Sequence, residues 1–309
     1  MRLLLIIFLL FSSNLFAAEM STEKMPKHDW SFKGVTGTFD DCQDIVKKGF
    51  KERSFLKEDQ YLLAVNSINW VRIIGQICYY FFASLKVNKF SEPLNFSVPT
   101  GNFGNVFACY AASKMGMPLS KIIVAVNSND ILDRFFKNND YSKMDVTETI
   151  SPSMDISVAS NFERLLYDFY LNRDSKKCSD HYTHFPNNGI KIDEKVWKKS
   201  SELFLSYCIN DDSTYECMQH FSENFNYIMD PHTAVAAKAV IKLNDTLSNK
   251  TVILSTAHPA KFPIALENAG INLDNTPRNL EKVLSMKEVE YKLSVSKDSI
   301  FNFIKEKNK

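Results

Sequence analysis

The chain has 309 residues, with 37 Lys and Arg against 36 Asp and Glu, so its formal charge is close to zero. With 45% hydrophobic and 13% aromatic residues it is globular rather than disordered, and long enough for one large or two moderate domains. It has no long basic run, which argues against nucleic acid as a partner.

At the N-terminus, Met1-Arg2 precedes an apolar run over 3–11 and small residues at Ala17 and Ala18. This is the pattern of a secretory signal peptide over 1–18. The cleavage site is imperfect, because Leu15 or Phe16 stands where a small residue is preferred, and a fortuitous apolar leader is the plain alternative. The run is too short for a stable membrane span. The leader points to the secretory pathway; without a genuine leader the expected location is the cytoplasm. Of the six cysteines, Cys42, Cys78 and Cys109 lie in apolar periodic stretches and read as buried thiols. Cys178, Cys208 and Cys217 fall in a polar region where export would allow one disulfide. None has metal-ligand spacing. The sequon at Asn95, like those at Asn244 and Asn249, matters only in a eukaryotic secretory pathway. A glycan at Asn95 would crowd the glycine-rich stretch that follows, which speaks against secretion.

Residues 19–30 are polar. A helix is predicted over 40–50, with Thr38 as its cap and two Asp in its first turn. A longer helix opens at 66–70; from 73 to 85 it is uncharged and apolar nearly all round, and so is predicted to be a buried core helix. A strand over 94–98 then runs into Ser97-Val98-Pro99-Thr100-Gly101-Asn102-Phe103-Gly104-Asn105, and a helix follows over 106–115. Strand, glycine-rich turn and helix N-terminus in that order suit an anion, because the backbone can come close and unpaired amides and the helix dipole favour negative charge. Taken alone, a Gly-Asn turn before a helix is usually only a turn, and Gly101 and Gly104 do not make the dinucleotide pattern G-x-G-x-x-G. A second apolar strand over 122–126 ends at Asn127-Ser128-Asn129-Asp130, which caps a helix over 131–136. Unalternated apolar strands spaced by helices predict an α/β fold with a parallel sheet covered on both faces. Asn161 begins an amphipathic helix, and weaker helical patterns follow over 194–207 and 214–225. Asp230-Pro231 starts a helix that runs through 233–243. A last core strand over 252–255 ends in Thr256-Ala257-His258-Pro259, and the charged tail from Asn275 is expected to form peripheral helices. His232 and His258 stand beside prolines at predicted helix starts and read as structural rather than as acid/base groups.

GTFDDCQ (37–43), NSINWVRIIGQ (66–76), SVPTGNFGN (97–105), ASKMGMP (112–118), NSNDILDRFF (127–136), SPSMDI (151–156), SNFERLL (160–166), DPHTAVA (230–236) and LSTAHPAKFP (254–263) together resemble threonine synthase, a fold-type II enzyme dependent on pyridoxal 5′-phosphate. The resemblance implies a mostly parallel sheet flanked by helices. It divides the chain into a leader (1–18), a linker with a remnant of the small domain (19–60), a large cofactor-binding domain (61–274) and peripheral helices (275–309). It implies that Thr100, Gly101, Asn102, Phe103, Gly104 and Asn105 wrap the cofactor phosphate and that Thr256 sets its hydroxyl near the pyridine nitrogen. It also implies that Asn66, Ser67 and Arg72 hold the phosphate of a small phosphorylated substrate, a task suited to the paired donors of a guanidinium. Read without the family, Ser67 caps a helix, Asn66 turns the chain, Arg72 is a surface charge and Thr256 is a strand end.

The family's reaction converts O-phosphohomoserine and water to threonine and phosphate, and it uses a lysine bonded to the cofactor in a Phe-Lys-Asp context well upstream of GTFDDC. Here Phe32-Lys33-Gly34 echoes that context without the Asp and only a few residues before Gly37. Three readings follow: a non-catalytic threonine-synthase-like protein that binds pyridoxal phosphate weakly and without a covalent bond, an incomplete form of an active enzyme, or an interaction protein that reuses the fold without a ligand.

Overall fold

The structure is a computed structural model that describes residues 45, 48–57, 69–273, 277, 278, 281, 282, 286 and 291–307. Helix α1 (Trp70–Asn88) leads to β1 (Leu94–Pro99), α2 (Gly104–Lys114), β2 (Leu119–Val126) and α3 (Ile131–Asn138). After these come α4 (Ser175–Asn188), β3 (Phe204–Cys208), α5 (Asp211–Phe225), α6 (Pro231–Leu243) and β4 (Thr251–Ile253). The strands make one sheet in the order β3-β2-β1-β4, with every neighbouring pair parallel.

Alternate residues of each strand face opposite layers. Phe96, Val98, Ile122 and Val124 join a core with Ile73 of α1, Phe107 of α2 and Phe135 of α3. Ile123, Ala125 and Ile253 join a second core with Met218 of α5 and Val235 of α6. Burial of each such side chain stabilises the fold by about 1.5–3 kcal/mol. The sheet is therefore apolar on both faces, as the unbroken apolar runs predict. Chain order runs from β1 through β2 to β3, and β4 then returns to the other side of β1. The direction of winding thus reverses between β1 and β4, and in open parallel sheets ligands bind at the strands' carboxyl ends beside such a reversal.

Several expectations are corrected. α1 is not buried all round: Ile73, Ile77, Tyr80 and Ala83 face the core, whereas Val71, Ile74, Phe82 and Leu85 are exposed. Cys78 lies in this helix and is exposed rather than buried. Cys178 and Cys217 are buried in the cores on opposite sides of the sheet, and both they and Cys208 are free thiols, so none of the three forms the disulfide allowed above. The helical pattern over 194–207 ends early. Glu194–Lys198 is helical, but Phe204–Cys208 is the edge strand β3, paired in parallel with β2. Asn95 is buried and its Nδ2 donates to the Asn249 carbonyl at 2.9 Å, a packing that leaves no room for a glycan.

The described residues 69–273 belong to one compact unit, and the described residues before and after them belong to a second. Within the second, helix α7 (Lys297–Lys307) contributes Ile300 and Phe301 to a small core with Ile45 and Phe55. There Phe55 and Phe301 stack with ring centroids 4.0 Å apart, and Lys297 pairs with Glu52 at 2.7 Å. The leader, Lys33, Cys42, Asn66, Ser67 and most of the helix expected over 40–50 lie outside the described residues. Among the described residues, no helix is long and apolar enough to cross a membrane.

Candidate functional site

The loop after β1 is built by committing some polar groups to the protein and leaving others unpaired. Thr100 continues the sheet pairing, its N–H donating to the Ala125 carbonyl at 2.8 Å, and its hydroxyl turns back to the Val98 carbonyl at 2.6 Å. Both donors of Thr100 are thus used inside the fold. The backbone N–H groups of Gly101, Asn102, Phe103, Gly104 and Asn105 meet no acceptor among the described residues. They run into the first turn of α2, where the free amides of a helix carry partial positive charge.

Each loop residue is fixed differently. A Cβ on Gly101 would lie 2.6 Å from the Ser153 carbonyl oxygen and 3.3 Å from the Met154 Cα, so this position is closed to every other residue without movement. The Asn102 carbonyl accepts from both the N–H (3.0 Å) and Nδ2 (3.1 Å) of Asn161, while its Oδ1 is buried with no donor. Phe103 takes the left-handed conformation (φ 66°) and buries its ring edge-on against Phe162, with centroids 5.5 Å apart. Its ring is core and only its backbone faces the loop. The Asn105 Oδ1 accepts from the hydroxyls of Tyr79 and Tyr80, the latter at 2.8 Å.

The wall behind Gly101 is Pro152–Met154, a turn held by a buried polar cluster. Asn127, just past β2, donates through Nδ2 to Ser151 Oγ (3.0 Å) and to Asp155 Oδ1 (2.7 Å). Asp155 in turn accepts from the N–H of Thr149 at 2.9 Å. His232 braces the same wall: its Nε2 accepts from the Ser153 N–H at 3.3 Å, and its Nδ1 donates to Asp230 Oδ1 at 2.9 Å. Both ring nitrogens are engaged in positioning. His258 is likewise a cap, accepting from the Ala260 N–H at 3.2 Å.

β4 brings the second part. The Leu254 N–H donates to the Ser97 carbonyl at 3.0 Å, which extends the β1–β4 pairing, and Thr256 follows two residues later with its side chain exposed. Thr256 and Gly101 therefore leave the carboxyl ends of adjacent strands, on the same sheet edge. Arg72 stands exposed in the first turn of α1. Its charge reaches Tyr79: burial pushes that phenol well above its ordinary range, and Arg72 opposes the shift. The loop, Thr256 and Arg72 were named from the sequence; Tyr79, Tyr80, Ser153 and Asn161 were not given roles. Asn161 begins a helix, as the sequence predicts, but its side chain makes no capping bond and holds the loop instead.

Comparisons with known proteins bear on the family and the fold. The family model described as pyridoxal-phosphate dependent enzyme matches residues 23–257, and that described as threonine synthase, C-terminal, matches 233–304. The chain is 45% identical over 238 residues to a threonine synthase of Pseudomonas aeruginosa, covering 77% of this chain and 50% of that protein. It is 38% identical over 290 residues to the threonine synthase of Saccharomyces cerevisiae, covering 85% of this chain and 56% of the other. Among solved structures, a threonine synthase from Brucella melitensis with bound pyridoxal phosphate superposes with a TM-score of 0.77 at 35% identity, over 88% of this chain and 58% of that one. The chain thus spans about half the length of the curated relatives it matches.

Proposed function

Because the chain belongs to the pyridoxal-phosphate-dependent enzyme family, among the threonine synthases and threonine synthase-like proteins, we propose that it holds pyridoxal 5′-phosphate by the phosphate at Gly101–Asn105, with Thr100, whose donors are both used inside the fold, only anchoring the loop to the sheet. The observation that carries this is the row of unpaired amides from Gly101 to Asn105 at the reversal between β1 and β4, over a floor that excludes a Cβ at Gly101.

When bound, the cofactor supplies a ring that withdraws electrons from the substrate carbons. The chain's own residues do the rest. The amides of 101–105 bind the phosphate, and the Asn161 and Ser153 contacts keep those amides aimed. The Thr256 hydroxyl serves the ring nitrogen and, being neutral, leaves it largely unprotonated. Arg72, with Asn66 and Ser67, receives the phosphate of a substrate of the O-phosphohomoserine type. The lysine that moves protons in the family has no equivalent at the Phe32-Lys33-Gly34 echo, which lacks the Asp. We therefore read these 309 residues by themselves as a threonine synthase-like protein that binds its ligands without turnover. A lysine contributed by polypeptide beyond them would complete a threonine synthase.

Calorimetric titration of the purified chain tests this. Weak, reversible binding of pyridoxal phosphate, displaced by inorganic phosphate, is expected, with no enzymatic release of phosphate from O-phosphohomoserine. Binding of neither ligand would contradict the site. Tight binding that phosphate fails to displace would contradict the non-covalent reading.

A further inference from the structure

We propose that Tyr79 and Tyr80 are positioning residues that fix the Asn105 side chain as an additional anion donor at the end of the loop, an inference that rests on the proposed phosphate site. The two phenols come from successive positions of α1, with ring centroids 4.9 Å apart, and converge on a single carboxamide oxygen. Tyr80 is fully enclosed and its hydroxyl also lies 3.0 Å from the Asn105 backbone carbonyl, so that its one proton is shared between the side-chain and main-chain oxygens of the same residue. A carboxamide oxygen offers two acceptor positions, and the two hydroxyls fill them. The Nδ2 group then points away from the tyrosines, and it has no acceptor among the described residues. It sits in the first turn of α2, next to the unpaired amides of the loop.

The arrangement is durable. Burial pushes both phenols well above their ordinary range, so they stay protonated and remain donors. It also ties together two parts of the site. Arg72 lies two helical turns before Tyr79 on the same side of α1, and its charge is felt at the Tyr79 hydroxyl. The helix that presents the guanidinium to one phosphate thus orients the last loop donor for the other.

The test is a double-mutant cycle in the full chain with Tyr79→Phe, Tyr80→Phe, Asn105→Ala and the combined variants. Each is titrated with inorganic phosphate and with pyridoxal phosphate, and each is melted. Each Tyr→Phe variant should weaken phosphate binding by about three- to tenfold, the worth of one oriented hydrogen bond. Asn105→Ala should lose a similar factor, and adding Tyr→Phe to it should cost no further affinity. If Tyr80→Phe lowers the melting temperature but leaves phosphate affinity unchanged, the tyrosines only pack and the inference fails. Additive losses would overturn it equally. Should Tyr80→Phe fail to fold, the half-buried Tyr79→Phe carries the same reading. If the unaltered chain binds neither ligand, the proposed site falls and this inference with it; if it binds and the tyrosine variants match it, only the inference falls.

Discussion

A methyl group at Gly101 would meet the Ser153 carbonyl oxygen at 2.6 Å, so the glycine is required for room rather than for an unusual backbone twist. Overpacking of this kind costs about 1–3 kcal/mol, and here it would displace the loop. Gly101→Ala is expected to lower the melting temperature and to weaken phosphate binding, both readable in one preparation. Gly75 in α1 is the control: nothing lies within 4 Å of an added Cβ, and Gly75→Ala should raise stability by about 0.5–1 kcal/mol in chemical denaturation. Phe103 shows the opposite economy. Its left-handed backbone costs about 1–2 kcal/mol, and full burial of its ring against Phe162 and Phe136 offsets this. Phe103→Ala should destabilise the fold by about 3–5 kcal/mol, again by denaturation. Asp140 supplies a pH signature. Burial works against its charge, but hydrogen bonds with Ser142 and Arg134 and the Arg134 charge hold its carboxyl below the usual range. A carboxylate lowered in the folded state contributes stability above its unfolded value and loses it as pH falls through the folded one. Asp140→Asn should therefore be less stable than the unaltered chain at neutral pH and equal to it well below the carboxylate range.

Helix α1 is where the sequence pattern misleads at the level of an element. Its apolar residues occupy all sides, yet only the Ile73, Ile77, Tyr80 face is buried in the core. Ile77→Ala should cost about 2–5 kcal/mol, whereas Ile74→Lys on the exposed side should stay within about 0.5 kcal/mol; comparable losses would mean the outer face is covered. β1, β2 and α6 could be read from the sequence because each carries a local signature: unbroken apolar runs for the strands, and for α6 an Asp230 cap whose Oδ1 accepts from the His232 N–H at 3.0 Å beside Pro231. α4 could not, since its polar sequence contains Pro186 and buries only Cys178 and Phe185. β3 was hidden because it is a half-buried edge strand whose identity comes from pairing with β2, a contact distant in sequence. The same distinction divides the site. The loop is contiguous and its motif is legible. Tyr79 meets Asn105 across 26 positions and Asn161 meets Asn102 across 59, approaches that no local spacing announces.

For the molecule as a whole, the parallel sheet does the assembling. By returning to the free side of β1, β4 sets Thr256 next to the Gly101 loop, and α5 and α6 cover one face while α1, α2 and α3 cover the other. The chain spans about half the length of its threonine synthase relatives, and these residues carry the loop of unpaired amides on which the proposed function rests. The most direct measurement is a crystal structure of the chain grown or soaked with pyridoxal 5′-phosphate. The phosphate oxygens are expected within hydrogen-bonding distance of the amides of Gly101 to Asn105, with the ring directed toward Thr256 and the Asn105 Nδ2 turned to the ligand. Cofactor bound elsewhere on the chain, with those amides turned away from it, would contradict the account.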